Sequence, residues 1–89
     1  MIKRPLDIIN KLGLHARAAS KFVKLASRFE SDVRLRKGER EANGKSIMGV
    51  MMLAAEQGAE VVVAAEGEDE IEAVEKLAEL LASNFEDKV

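Results

Sequence analysis

Apolar residues along this chain switch between two spacings, and that switching limits the fold more than any other feature. From Ile2 to Ile9, Leu6 and Ile8 alternate with Lys3 or Arg4 and Asp7, the period of a strand. Pro5 lies inside that run, and because proline cannot donate to a ladder the strand belongs at a sheet edge. Asn10, Lys11, Leu12 and Gly13 form a loop. From about Ala16 to Arg28 the period lengthens. Ala19, Phe22, Val23, Ala26 and Phe29 fall at helical spacing and define a core-facing side.

The same reading continues through the chain. Ser31 to Lys37 is a second strand, with Val33 and Leu35 inward and Asp32, Arg34 and Arg36 outward. Lys37-Gly38-Glu39 turns it into a third strand, Arg40 to Asn43, which predicts a hairpin. Asn43-Gly44-Lys45 breaks that strand. Ser46 then suits the N-cap of a short helix from Ile47 to about Leu53, since its hydroxyl can accept from a first-turn N–H. Glu60 to Glu66 is a fourth strand, and the run Val61-Val62-Val63 marks it as central. A last helix runs from about Asp69 to Ser83 with Ile71, Val74, Leu77, Ala78 and Leu81 on one face, and the acidic Glu68-Asp69-Glu70 at its start suits the helix dipole. The tail from Asn84 is expected to fray. The order βαββαβα is packed most economically as an α+β open-faced sandwich: a four-stranded, mainly antiparallel sheet with three helices on one face.

Size and composition exclude several classes. The 89 residues make a single domain, residues 1–89, with 47% hydrophobic and 34% charged residues, a globular balance. There is no cysteine, so disulfides and thiolate metal sites are excluded. No signal peptide and no bilayer-spanning apolar run are visible, which makes the cytoplasm the expected compartment. Neither a metal nor a cofactor is expected. Residues 1–53 carry 12 Lys/Arg against 5 Asp/Glu, a net of +7, and residues 54–89 carry 2 against 11, a net of −9, giving the overall −2. If folding keeps these halves apart, the first presents a positive face to acidic or phosphorylated partners; if it interleaves them, the charges mix.

The chemistry-bearing stretch is Gly13-Leu14-His15-Ala16-Arg17-Ala18-Ala19, which holds the only histidine. An unperturbed imidazole titrates at about 6.5, so much of it is neutral and nucleophilic near neutral pH. Such a nitrogen can accept a phosphoryl group and pass it on. Unpaired N–H groups and the positive dipole end of a helix start can meet the charge gained. Arg17 adds a planar cationic fork matched to phosphate oxygens, and Gly13 allows a sharp entry into the helix. A lone histidine before a helix also reads as a plain surface residue or terminus contact, and spacing alone does not separate the two. Arg17, Lys21, Lys24 and Arg28 form a basic stripe, either a solvated face or one read by a partner. Ile47, Met48, Val50, Met51, Met52 and Leu53 make the short helix apolar nearly all round, which predicts an exposed apolar patch beside core contacts.

Two motifs about thirty residues apart carry a family resemblance over nearly the whole chain: Gly13-Leu14-His15-Ala16-Arg17, and Gly44-Lys45-Ser46-Ile47-Met48-Gly49-Val50-Met51. Gly58-Ala59-Glu60-Val61, leading to the acidic start of the last helix, adds to them. The chain resembles the histidine phosphocarrier (HPr) proteins of the bacterial phosphoenolpyruvate-dependent phosphotransferase system. The resemblance implies that His15 is phosphorylated, as pros-phosphohistidine, by Enzyme I and relieved of its phosphate by an EIIA-type domain. Ala16 and Arg17 correspond to the phosphate-binding positions. Ser46 is similar to the regulatory serine modified by an HPr kinase/phosphorylase in some members, the other reading being a plain N-cap. Arg17, Ser20, Lys21, Lys24, Ile47, Met48 and Met51 fall on the partner-binding surface. Many members have proline where this chain has Ala18. That alanine and the Lys11-Leu12 pair point toward the nitrogen-related branch (NPr).

With one nucleophile and no Walker-type loop, the chain reads as a carrier rather than an enzyme, its partners supplying much of the positioning for transfer. A monomer is expected. A regulatory adaptor centred on Ser46 is the alternative. A nucleic-acid-binding module is disfavoured by the negative net charge and by 3% aromatic content, because single-strand readers stack bases on aromatic side chains.

Overall fold

The computed structural model describes residues 1–9, 13–53 and 55–83. The loop expected at Asn10, Lys11 and Leu12 and the tail from Asn84 lie outside the described residues. Among the described residues seven elements follow in the expected order: β1 (Ile2–Asp7), α1 (Ala16–Ala26), β2 (Asp32–Lys37), β3 (Arg40–Asn43), α2 (Ile47–Met52), β4 (Glu60–Glu66) and α3 (Glu70–Ala82). The strands form one sheet in the order β1-β4-β2-β3, and every pairing is antiparallel. Both β1 and β2 pair with β4, so they run parallel to each other on either side of it, with α1 as their crossover. The result is the expected open-faced sandwich.

Each strand's place follows from its residues. β1 is an edge strand, where Pro5 sits opposite Val62 and costs the sheet no interior donor. β4 lies between β1 and β2 and buries Val61, Val63, Ala64 and Ala65, which is why its sequence is a continuous apolar run. β2 and β3 form the hairpin, with Lys37 opposite Arg40. Val33, Leu35, Val61 and Val63 point into the core with Phe22, Val50, Val74, Leu77 and Leu81 from the helices. Phe22 is wholly buried, worth about 1.5–3 kcal/mol relative to an exposed ring. On the sheet's other face Lys3, Arg34, Arg36 and Glu41 surround Val62 and Ala64.

Several expectations needed correction. β1 ends at Asp7, not Ile9; Ile8 is buried and its backbone exchanges hydrogen bonds with Ala59 (2.9 Å) and Gly58 (2.8 Å), while Ile9 is exposed. α1 stops at Ala26, and the Arg28 and Phe29 N–H groups donate three residues back to Leu25 and Ala26, tightening the exit. Phe29 therefore packs half-buried against the core from beyond the helix. Ile71 was expected inside and is 63% exposed. Residues three apart rotate by about 60° in the same sense at each step, so the row Ile71, Val74, Leu77 drifts around the helix. The buried face is Ala73, Val74, Leu77, Ala78 and Leu81, and Ile71 falls off its edge. Ala18 and Ala73 are fully buried positions that the periodicity did not pick out.

The start of α3 is acidic as expected, and it also carries a long-range tie. Asp69 does not cap its own helix. Its carboxylate accepts from the backbone N–H groups of Glu30 (2.9 Å) and Ser31 (3.0 Å) and from the Ser31 hydroxyl, tying α3 to the turn between α1 and β2. Those bonds, the Ser31 hydroxyl first, hold the carboxyl below its ordinary value of 3.8 against a smaller opposing effect of burial. Gly67 makes the close approach possible: its φ is +152°, and a Cβ there would stand 2.7 Å from the Cα of Ser31.

Candidate functional site

The site begins where the chain enters α1. Gly13 has φ +66°, and a Cβ on it would lie 2.3 Å from the Ala55 carbonyl oxygen and 2.8 Å from the Glu56 Cα. Only glycine meets both demands. The adjoining Leu14 N–H donates to the Ala55 carbonyl at 2.9 Å, and the Leu14 side chain is buried in the core. The residue after it is thereby fixed against the loop that follows α2. That residue is His15, the N-cap of α1, with extended backbone (φ −74°, ψ 176°). Its carbonyl accepts from the Ala19 N–H at 2.8 Å, closing the first helical turn.

Most N-cap side chains spend their acceptor on the helix's own N–H groups. His15 does not: its imidazole makes no capping hydrogen bond and is half-buried at the surface. The first turn contains no acidic residue to occupy the positive dipole end. Ala16 and Arg17 are exposed in that turn, and Ala18 is buried beneath it. The arrangement can therefore receive an anion next to a nucleophilic ring, with Arg17 placed two residues on.

Down the outer face of α1, Arg17, Ser20, Lys21, Lys24, Leu25 and Arg28 line an open groove of about 580 Å3 whose far wall is Leu80 of α3. Four cations converge on it. Glu75 and Glu79 of α3 lie on the β1 side of that helix, beside Arg4 and Leu6. The positive charge of the first half stays unmixed along this groove, whereas elsewhere the halves interleave, Arg4 beside Glu75 and Glu79 and Glu60 beside Lys3, Arg34 and Arg36.

The second motif forms α2. The Ser46 hydroxyl accepts from the Gly49 N–H at 3.1 Å, a true N-cap, with backbone in the extended region. Val50 and Leu53 hold the helix to the core, whereas Ile47, Met48, Met51 and Met52 are 43%, 72%, 40% and 71% exposed. α1 and α2 pack against each other, which brings the two motifs to one side of the molecule. The groove on α1 and the patch on α2 share no lining residue, and no bond joins His15 to Ser46 among the described residues.

Sequence reasoning omitted some residues of this region. Met52 is counted in the apolar helix but not among the partner-binding residues, although it is as exposed as Met48, four residues before it. Leu25 and Leu80 supply the groove's apolar walls. Lys45 is half-buried, and its Nζ donates to the Phe29 carbonyl at 2.7 Å, linking the exit of α1 to the entry of α2. No local signal in the sequence announces that bond. Among the described residues no His/Asp/Glu group could hold a metal ion, and no helix is long and apolar enough to cross a membrane.

Comparison with known proteins agrees with this geometry. Residues 2–83 match the family described as the PTS HPr component phosphorylation site. The chain is 49% identical over 85 residues to the phosphocarrier protein HPr of Neisseria meningitidis serogroup A, covering 96% of each chain. Its fold matches the crystal structure of HPr-C-His from Thermoanaerobacter tengcongensis with a TM-score of 0.93 and 44% identity over 100% of both chains. The solution structure of Crh, the Bacillus subtilis catabolite repression HPr, is 49% identical with a TM-score of 0.68, over 90% of this chain and 95% of that one. The chain belongs to the HPr family of phosphocarrier proteins of the phosphotransferase system. Proteins of this family carry phosphoryl groups and are not catalytic enzymes.

Proposed function

We propose that His15 accepts a phosphoryl group from phosphorylated Enzyme I, originating in phosphoenolpyruvate, and passes it to an EIIA-type domain of the sugar or nitrogen branch. The observation that carries this is the N-cap histidine whose imidazole is left out of the helix cap, at a helix start with no acidic residue. In the transfer, the lone pair of the neutral ring's pros nitrogen (Nδ1) forms the new N–P bond. The bond from phosphorus to the donor breaks, and the donor keeps its electron pair. The proton on the other ring nitrogen stays in place. The transferred oxygens meet the first-turn N–H groups around Ala16 and the Arg17 guanidinium. Transfer onward reverses these roles with the acceptor as nucleophile.

The outer faces of α1 and α2 are the docking surface in this reading. Arg17, Lys21 and Lys24 attract an acidic partner, Ser20 offers a hydroxyl between them, and Ile47, Met48 and Met51 supply apolar contact. The protein works as a cytoplasmic monomer. A kinase acting on Ser46 would add negative charge at the edge of this surface, disfavouring acidic partners without removing the anchors Val50 and Leu53. Similarity to a protein described as a catabolite repression HPr favours a second reading, a regulatory adaptor controlled at Ser46. Intact mass after incubation with phosphoenolpyruvate, Mg2+ and Enzyme I separates the two. One acid-labile phosphoryl group on the wild type, absent from His15→Ala, supports the carrier. An unmodified wild type beside a competent control carrier leaves the adaptor.

A further inference from the structure

The patch on α2 has a chemical property that docking does not use. Three of its four exposed side chains are methionines, in a helix of six residues. Met48 and Met52 are 72% and 71% exposed, and Met51 is 40% exposed. A thioether sulfur open to solvent is oxidised readily, and the sulfoxide is polar where the thioether was apolar. The helix does not depend on these sulfurs for its place. Val50 is wholly buried, Leu53 nearly so, and Ser46 caps the first turn. Support and surface are thus divided residue by residue, so the surface can change chemistry while the fold stays intact. The chain has no cysteine, so thiol oxidation cannot compete for the oxidant.

We infer that Met48, Met51 and Met52 form a reversible oxidation site that switches docking of the carrier off. The inference rests on the docking role given to this patch above. Hydrogen peroxide is the oxidant. A sulfur lone pair attacks one peroxide oxygen, the O–O bond breaks, and the products are the sulfoxide and water; the sulfur loses two electrons. Methionine sulfoxide reductases return those electrons from a thiol donor and release the oxygen as water, one enzyme serving each sulfoxide epimer. Each sulfoxide places a strong acceptor where a partner must remove water from the surface, a loss of about tenfold in affinity per buried sulfoxide.

The test compares the full chain before and after peroxide, with the leucine variant Met48→Leu/Met51→Leu/Met52→Leu treated identically. Met1 remains in both as an exposed methionine outside the patch. Peptide mapping reports which sulfurs gain oxygen, and the order expected from exposure is Met48 and Met52 before Met51. The readout is the ratio of Enzyme I-dependent phosphorylation after treatment to that before, within each protein. Phosphoramidate, a small donor that needs no docking, reports on the His15 ring alone. The wild-type ratio should fall by about tenfold or more as a rise in KM. It should recover with the two reductases, while the leucine variant stays near unity and the phosphoramidate rate is unchanged in both. Full oxidation of the three methionines with an unchanged ratio would overturn the inference. So would a loss that the leucine variant shares, or one that phosphoramidate also shows. Failure of the carrier reading shows itself differently, as no transfer to the untreated wild type, and it removes this inference as well.

Discussion

α2 and α3 are neighbours in sequence order and opposites in use. α3 has 13 residues and buries Ala73, Val74, Leu77, Ala78 and Leu81 against β1 and β4, leaving Glu72, Glu75, Lys76 and Glu79 outside with Ile71 as the one large apolar side chain among them. α2 has six residues, keeps one fully buried side chain of its own in Val50, and turns most of its apolar surface outward. A helix shaped by stability alone would look like α3. α2 is short, capped and apolar on the wrong side, the pattern of an element retained for what it presents. The same split runs through α1, where Ala18, Ala19, Phe22, Val23 and Ala26 face the core and Arg17, Lys21, Lys24 and Arg28 face out.

Breaking each helix separately sharpens this contrast. Leu77→Ala empties part of the core under α3 and should cost about 2–5 kcal/mol in chemical denaturation. Phosphoryl transfer by the fraction still folded should keep its KM. Asp69→Asn weakens the tie between α3 and the turn at Ser31, and its effect depends on pH. The native carboxyl is held below 3.8 by the Ser31 and Glu30 donors, so its stabilisation is present above that value and is lost as pH falls through the lower native value. Thermal midpoints should therefore show Asp69→Asn less stable than wild type at neutral pH, with the two curves converging in strong acid. A constant gap at every pH would assign the effect to something other than the carboxylate's charge.

On the α2 side the stability effects are smaller and the functional ones larger. Ser46→Ala removes the acceptor for the Gly49 N–H and should cost about 1 kcal/mol by denaturant titration. Met48→Ala should leave stability within about 0.5 kcal/mol of wild type and still raise the KM for transfer from Enzyme I. Equal KM values for Met48→Ala and wild type would remove the patch from the docking surface. The contrast between the helices would then need another cause.

Much of this was legible in the sequence because period and punctuation agreed. Pro5 placed β1 at an edge, the valine run placed β4 inside, and Gly38 turned the hairpin. The two motifs flanking His15 and Ser46 lie on the elements expected of them. Alanines are hard to read: Ala18 and Ala73 are inside, yet a methyl group gives periodicity little to register, and on α3 the larger Ile71 falls in the apolar row while lying outside the buried face. Long-range polar bonds were invisible. Asp69 read as a helix-start carboxylate, but it serves a serine 38 residues away, and Lys45 reaches a carbonyl 16 residues back. Nothing local in a sequence distinguishes a carboxylate that caps its own helix from one that ties down another turn.

The central claim is that the imidazole left out of the α1 cap is the phosphoryl carrier. The most direct measurement is the 31P NMR spectrum of the protein after incubation with phosphoenolpyruvate and Enzyme I, followed by addition of an EIIA-type domain. A single phosphoramidate resonance is expected, lost in acid, absent from His15→Ala, and gone once the acceptor is added. A resonance that survives in His15→Ala, or one of phosphomonoester type assigned to Ser46, would contradict the claim.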